Sequence, residues 1–165
     1  MKSSSFQNFF DGSILQSFLS DMSYQVSFER LGRLLIKRVV WRGPYDKKQI
    51  ALTFDDGPHP TFTPLLLDVL NRWQVPATFF LIGRHVESHP HIAEEVARQG
   101  HETGNHTFSH LLMTRLKNET IKTEIQRTHE LIKGLGLHPP RFLRPPMGLF
   151  STRVLDRIED CGYRA

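Results

Sequence analysis

Two aspartates stand side by side in TFDDGP, residues 53–58, where the apolar run that begins at Ile50 should finish. Adjacent carboxylates repel, so the pair implies a cation between them, a metal ion or a basic side chain. Two histidines, His106 and His110, are four apart in HTFSH, close enough to bind one ion in a helix or a tight loop. Two imidazoles and one carboxylate make a three-ligand site with an open position for water, as in catalytic Zn²⁺ centres. Asp56 is the third ligand on this reading. Asp55, nearby but off the metal, is the general base that takes the proton of the water. Arg144 in RPPMG is held stiffly beside two prolines, suited to orient Asp55 through a bidentate pair. Pro145 and Pro146 carry no N–H, so Met147 supplies the first backbone donor after them, for the oxyanion of a tetrahedral intermediate. His59 in DDGPHP lies within reach of the metal as a substrate contact. The chain has nine histidines. Of the remaining six, His85, His89, His91 and His101 are expected to face water, His129 to lie among polar neighbours, and His138 to precede a Pro-Pro turn.

These side chains are far apart in sequence, so the intervening elements must gather them. An apolar strand is expected over 50–54, then a helix over 61–73 with Thr61 or Thr63 as its N-cap. ATFFLIG (77–83) reads as a second buried strand, followed by a helix over 91–99 that Gly100 stops. HETGNHTFSH (101–110) is a short strand running into a loop, and 118–133 is a helix with one apolar face. RFLRPPMG (141–148) reads as a fourth strand, 151–160 as a fourth helix, and YRA as the start of a fifth strand. Repeated βα units predict a parallel sheet or barrel whose site lies at the C-terminal strand ends. That topology puts the Asp pair, the His pair and Arg144 on one rim.

With 39% hydrophobic and 23% charged residues, the 165-residue chain reads as one globular α/β domain with a leader. A net charge of +4 is scattered rather than striped, so nucleic acid is not an expected partner. Cys161 is the only cysteine and excludes an intrachain disulfide. Residues 1–47 form the extension: a Ser- and Phe-rich leader, an amphipathic segment over 27–40 and a turn-rich linker. The 27–40 segment is expected to be a helix packed on the domain, with a basic membrane-surface helix as the alternative. The leader lacks the apolar core of a signal peptide.

TFDDGP, HTFSH and RPPMG resemble, in order and spacing, the first three motifs of the NodB-homology polysaccharide deacetylases, carbohydrate esterase family 4. The resemblance covers roughly residues 48–165. It implies a distorted (β/α) barrel, here a partial one, and metal-dependent removal of N-acetyl groups from amino-sugar polymers such as chitin or peptidoglycan. It further implies Asp55 as base, Asp56, His106 and His110 as metal ligands, Arg144 as the arginine that orients the base, and Thr107 as the hydroxyl residue that steadies the histidine loop. The cofactor expected is a divalent metal, Zn²⁺ first, with Co²⁺, Ni²⁺ or Mn²⁺ as alternatives. The expected partner is an N-acetylated glycan, which suggests the cell envelope or extracellular space. Two departures stand out. Met147 replaces the family's usual aromatic, and two later motifs, one carrying a general-acid histidine, do not occur before Ala165. The alternative reading is therefore a non-catalytic metal- or glycan-binding fragment of such a domain.

Overall fold

The computed structural model of the chain describes residues 38–41, 43, 46 and 48–165. The chain divides into two units, Met1–Trp41 and Arg42–Ala165, and the second carries everything that follows. The helix expected over 27–40 falls outside the described residues as far as 37; residues 38–40 are non-helical.

β1 (Thr53–Gly57), β2 (Thr78–Leu81) and β3 (Glu102–Asn105) make a parallel sheet in the order β1-β2-β3. Of the strands, β2 is a run of β-branched and aromatic residues, TFFL, while β1, TFDDG, and β3, ETGN, carry polar residues at their C-terminal ends. Single parallel bridges, Asn105 to Leu143 and Phe142 to Arg164, carry the same order onward. The fourth strand expected over 141–148 is thus reduced to a bridge. Pro145 and Pro146 lack the N–H groups that would extend the ladder, and the chain turns into a 3₁₀ segment at Pro146–Gly148.

Between the strands lie α1 (Phe62–Trp73), α2 (Gly83–Ser88), α3 (Pro90–Arg98), α4 (Asn118–Gly134) and α5 (Thr152–Asp160). α2 was not anticipated; at six residues it shows too little of a 3.6 period to be read. Leu67 and Leu70 of α1, Phe79 and Leu81 of β2, and Val86, Ala93 and Val96 of α2 and α3 form one buried cluster. Ile121, Ile125 and Ile132 of α4 and Val154, Leu155 and Ile158 of α5 are also buried. Among the described residues, β1 is the strand with one unpaired edge.

β1 begins three residues later than expected and contains the Asp pair rather than stopping before it. The reason is a bulge. Phe54 pairs with Phe79 but Gly57 pairs with Leu81, so β1 uses one residue more than β2 over this stretch. In a regular strand, adjacent side chains point to opposite faces. The extra residue, with Asp56 at φ 67°, re-aims the second carboxylate toward the rim that the first already faces.

Candidate metal centre

The bulge delivers Asp56 to the two histidines. Its Oδ1 lies 3.4 Å from His106 Nε2 and 3.2 Å from His110 Nε2, and the three donor atoms fall within 4.8 Å of one another. The imidazole rings sit 4.9 Å apart, tilted by 56°. His106 is buried, and its Nδ1–H donates to the Arg144 carbonyl at 2.6 Å. That bond fixes the tautomer and leaves the Nε2 lone pair facing Asp56, the outer-sphere arrangement that orients a metal-binding imidazole. Burial holds His106 below the ordinary histidine range, with the Arg144 carbonyl opposing. A neutral ring is the form that binds a metal. The donor set, two imidazoles and a carboxylate, suits a divalent ion of the Zn²⁺ type.

The ligating loop follows directly from β3. Its backbone is unusual: Thr107 and His110 have φ of 65° and 56°. A left-handed threonine is a genuine outlier, because its branched β-carbon crowds the backbone. It is held at both ends of its peptide units. Its N–H donates to Asn105 Oδ1 at 2.8 Å, and its carbonyl accepts from the Gly83 N–H at 2.9 Å. These bonds of Thr107 come from its backbone; the hydroxyl that the resemblance implied would steady the loop is buried without a partner among the described residues. Four of the five described non-glycine residues with positive φ, Asp56, Thr107, His110 and Met147, lie at this rim. Strain of this kind collects where the surroundings over-determine the geometry.

Asp55 faces the same rim. Its Oδ1 accepts from Arg144 Nη1 at 2.6 Å, and the same nitrogen donates to Thr53 Oγ1 at 3.0 Å. The expected bidentate pair is therefore not formed: one nitrogen serves both partners, while the guanidinium lies over the Phe80 ring at 4.1 Å. The ring fixes the plane of the guanidinium. Pro145 is buried and its carbonyl accepts from Gly148 N–H, so it shapes the turn rather than offering a surface to a substrate. Met147, exposed at φ 60°, has a backbone N–H without an intramolecular partner among the described residues.

His59 is employed elsewhere. Its Nδ1 accepts from the N–H groups of Thr61 and Phe62, both at 3.2 Å, and its ring stacks on Phe62. It therefore caps α1, a task expected of Thr61 or Thr63, and only Nε2 is left for a ligand. Thr61 makes no cap bond, and Thr63 Oγ1 accepts instead from the His59 N–H. Two further histidines depart from the solvated role given them. His101 is buried against Phe79, and burial keeps it below the usual range. His85 donates from Nδ1 to the Asp56 carbonyl at 2.9 Å, bracing the bulge. No spacing rule would have found it, because the contact joins a loop-like bulge to a helix that has no readable period.

The family described as "Polysaccharide deacetylase" matches residues 42–165. A "Peptidoglycan-N-acetylglucosamine deacetylase" of Bacillus cereus is 44% identical over 106 residues, 64% of this chain and 38% of that protein. A "Chitooligosaccharide deacetylase" of Rhizobium leguminosarum bv. trifolii is 48% identical over 124 residues, 72% of this chain and 55% of that protein. Among solved structures, the Bc1960 peptidoglycan N-acetylglucosamine deacetylase superposes with a TM-score of 0.71 at 38% identity, over 74% of this chain and 57% of that one. The chain thus spans between about two fifths and three fifths of the length of these relatives. With its motifs on one rim of a parallel sheet and its match running from residue 42 to the last residue, the chain belongs to the polysaccharide deacetylase family.

Proposed function

We propose that this chain carries the metal-binding half of an active site that removes N-acetyl groups from amino-sugar glycans of the peptidoglycan or chitooligosaccharide type, in the cell envelope or outside the cell. The observation that supports it best is the convergence of Asp56, His106 and His110 within 4.8 Å, beside an Asp55 held by Arg144. A divalent ion at these three side chains would lower the pKa of a bound water and polarise the acetamide carbonyl. The chain's own groups supply the rest. Asp55, fixed by the Arg144 guanidinium, accepts the proton of the attacking water. The Met147 N–H, exposed and unspent, donates to the oxygen that gains negative charge. His106 is kept neutral by burial and correctly turned by the Arg144 carbonyl, so Arg144 serves the base through its side chain and the ligand through its backbone. The test is acetate release from N-acetylglucosamine oligomers and from peptidoglycan fragments, with Zn²⁺ content measured on the same sample. Metal bound at one equivalent with acetate released supports the reading; neither metal nor acetate overturns it.

A second reading, a metal- or glycan-binding fragment without turnover, draws support from Asp55 and Asp56, both exposed on a strand that pairs on one side only among the described residues. Stoichiometric Zn²⁺ without acetate release would favour it.

A further inference from the structure

The face of α4 turned to the core consists of Ile121, Glu124, Ile125, Thr128 and Ile132. Four of these belong in a core; Glu124 does not. A carboxylate only 9% exposed is costly unless its oxygens are satisfied. Arg127, three residues on and exposed, is committed to Glu87 at 3.2 Å and to the Phe108 ring, with its guanidinium 3.4 Å from the centroid. Both Glu124 oxygens go instead to one residue. Oε2 accepts from the Ser109 N–H at 2.7 Å and Oε1 from the Ser109 hydroxyl at 3.0 Å. Ser109 immediately precedes His110, whose backbone is left-handed.

We propose that Glu124 is a positioning residue for the metal centre. It grips Ser109 at both its backbone and its side chain, and so sets the turn that aims His110 at Asp56 before any ion arrives. Asn105 does the same for the other end of the loop, bonding the Thr107 N–H that follows His106. Asn105 is itself locked, since its Nδ2 donates to the Ile125 carbonyl and to the Tyr163 hydroxyl, whose other neighbour is His129 Nδ1. Both anchors therefore trace back to α4, and the helix works as a jig for the loop. Partners one step removed from a metal typically change its affinity about 10–100-fold when lost. A buried glutamate retained at such a place, with no basic partner among the described residues, is better explained by the loop it shapes than by any stability it adds.

The inference rests on the metal-centre reading above, and its test separates the two. Amide hydrogen exchange across 105–110 and Co²⁺ affinity by visible absorption are measured on the full chain as wild type, Glu124→Ala, Glu124→Gln and Ser109→Ala. In Glu124→Ala the Ser109 and His110 amides should exchange about tenfold faster, the worth of one lost charge-assisted bond. Co²⁺ should bind at least about tenfold more weakly. Glu124→Gln, which keeps an acceptor for the Ser109 N–H, should recover most of both losses. Ser109→Ala removes only the hydroxyl contact at a half-buried loop position and should shift both readouts about threefold the same way. Wild-type exchange and wild-type Co²⁺ affinity in Glu124→Ala overturn the inference, and should that variant not fold, wild-type values in Ser109→Ala do so. A wild-type chain that takes up no Co²⁺ defeats the metal reading alone, because the exchange rates still decide whether Glu124 sets the loop.

Discussion

Asp55 and Asp56 are neighbours with separable duties, and substitution should separate them. Asp55→Asn keeps the shape but cannot take a proton. Acetate release should fall about 10²–10⁴-fold, the usual share of a general base, with Zn²⁺ affinity within about threefold of wild type. Asp56→Asn should do the reverse first: Zn²⁺ binding, followed by competition with a chromogenic chelator, should weaken by more than about 100-fold, beyond the range for an outer partner. Equal metal loss in both variants would show that the two carboxylates share the ion. The residues that converge at this candidate site were legible in their types and spacing, because two His four apart and an Asp at a strand end supply three candidate donors to one ion. What could not be read was direction. Nothing in TFDDGP announces that Asp56 adopts a positive φ, and nothing in the helical pattern of α4 distinguishes a solvated Glu from the buried Glu124. The capping role of His59 is illegible for a related reason: capping rules look for hydroxyl or carboxamide side chains, and an imidazole acceptor escapes them.

At the level of elements, the loop and its neighbours fit with little room to spare. A β-carbon at Gly83, where α2 starts, would stand 2.5 Å from Thr128 Oγ1 and 2.7 Å from Phe108 Cδ2. Gly83→Ala should therefore cost about 1–3 kcal/mol by overpacking, read as a lower urea midpoint of the metal-free protein, and Thr128→Ala should return part of it. A stability unchanged by Gly83→Ala would mean that α2 and the loop can part freely. The last bridge of the sheet offers a second measurement. Tyr163 is buried, and burial pushes its hydroxyl up to about 12, with the Asn105 hydrogen bond opposing. The unfolded phenol titrates near 10. Folding stability tied to the neutral phenol is thus fully present below about pH 10 and is lost as pH rises toward 12, by roughly 2–3 kcal/mol at the limit. Tyr163→Phe should flatten that alkaline decline; an unchanged slope would assign it to other groups. Strand β2 and helices α1, α3, α4 and α5 were readable because apolar spacing dictates them, whereas β3, with the sequence ETGN, has no such spacing. The fourth strand was over-read because Phe142 and Leu143 look like a strand, while the prolines two and three residues later deny it a ladder.

On the scale of the molecule, the α/β class and the parallel order followed from the repeated units, whereas the exposed margin could only be seen in three dimensions. Phe62, Leu65, Val69 and Trp73 lie three or four apart along one face of α1 and are 68%, 57%, 53% and 72% exposed. Such an apolar face invites association, as does β1, which pairs on one side only among the described residues. Leu65→Lys combined with Val69→Glu should raise the soluble yield of the 165-residue chain and its monomer fraction in light scattering. Neither change should move the unfolding midpoint by more than about 0.5 kcal/mol. Unaltered aggregation would place the sticky surface elsewhere. The order of the sheet has a further consequence, for time rather than space. Strands that neighbour one another in sequence also neighbour one another in the sheet, so a ribosome makes them in the order in which they pair. All three presumed ligands have been synthesised by residue 110, some thirty residues before the arginine that seats the base. On a nascent chain those ligands must still wait, because the carbonyl that turns His106 belongs to Arg144, the residue whose guanidinium seats Asp55; the ion's berth and the base are completed by the same residue, at the same moment.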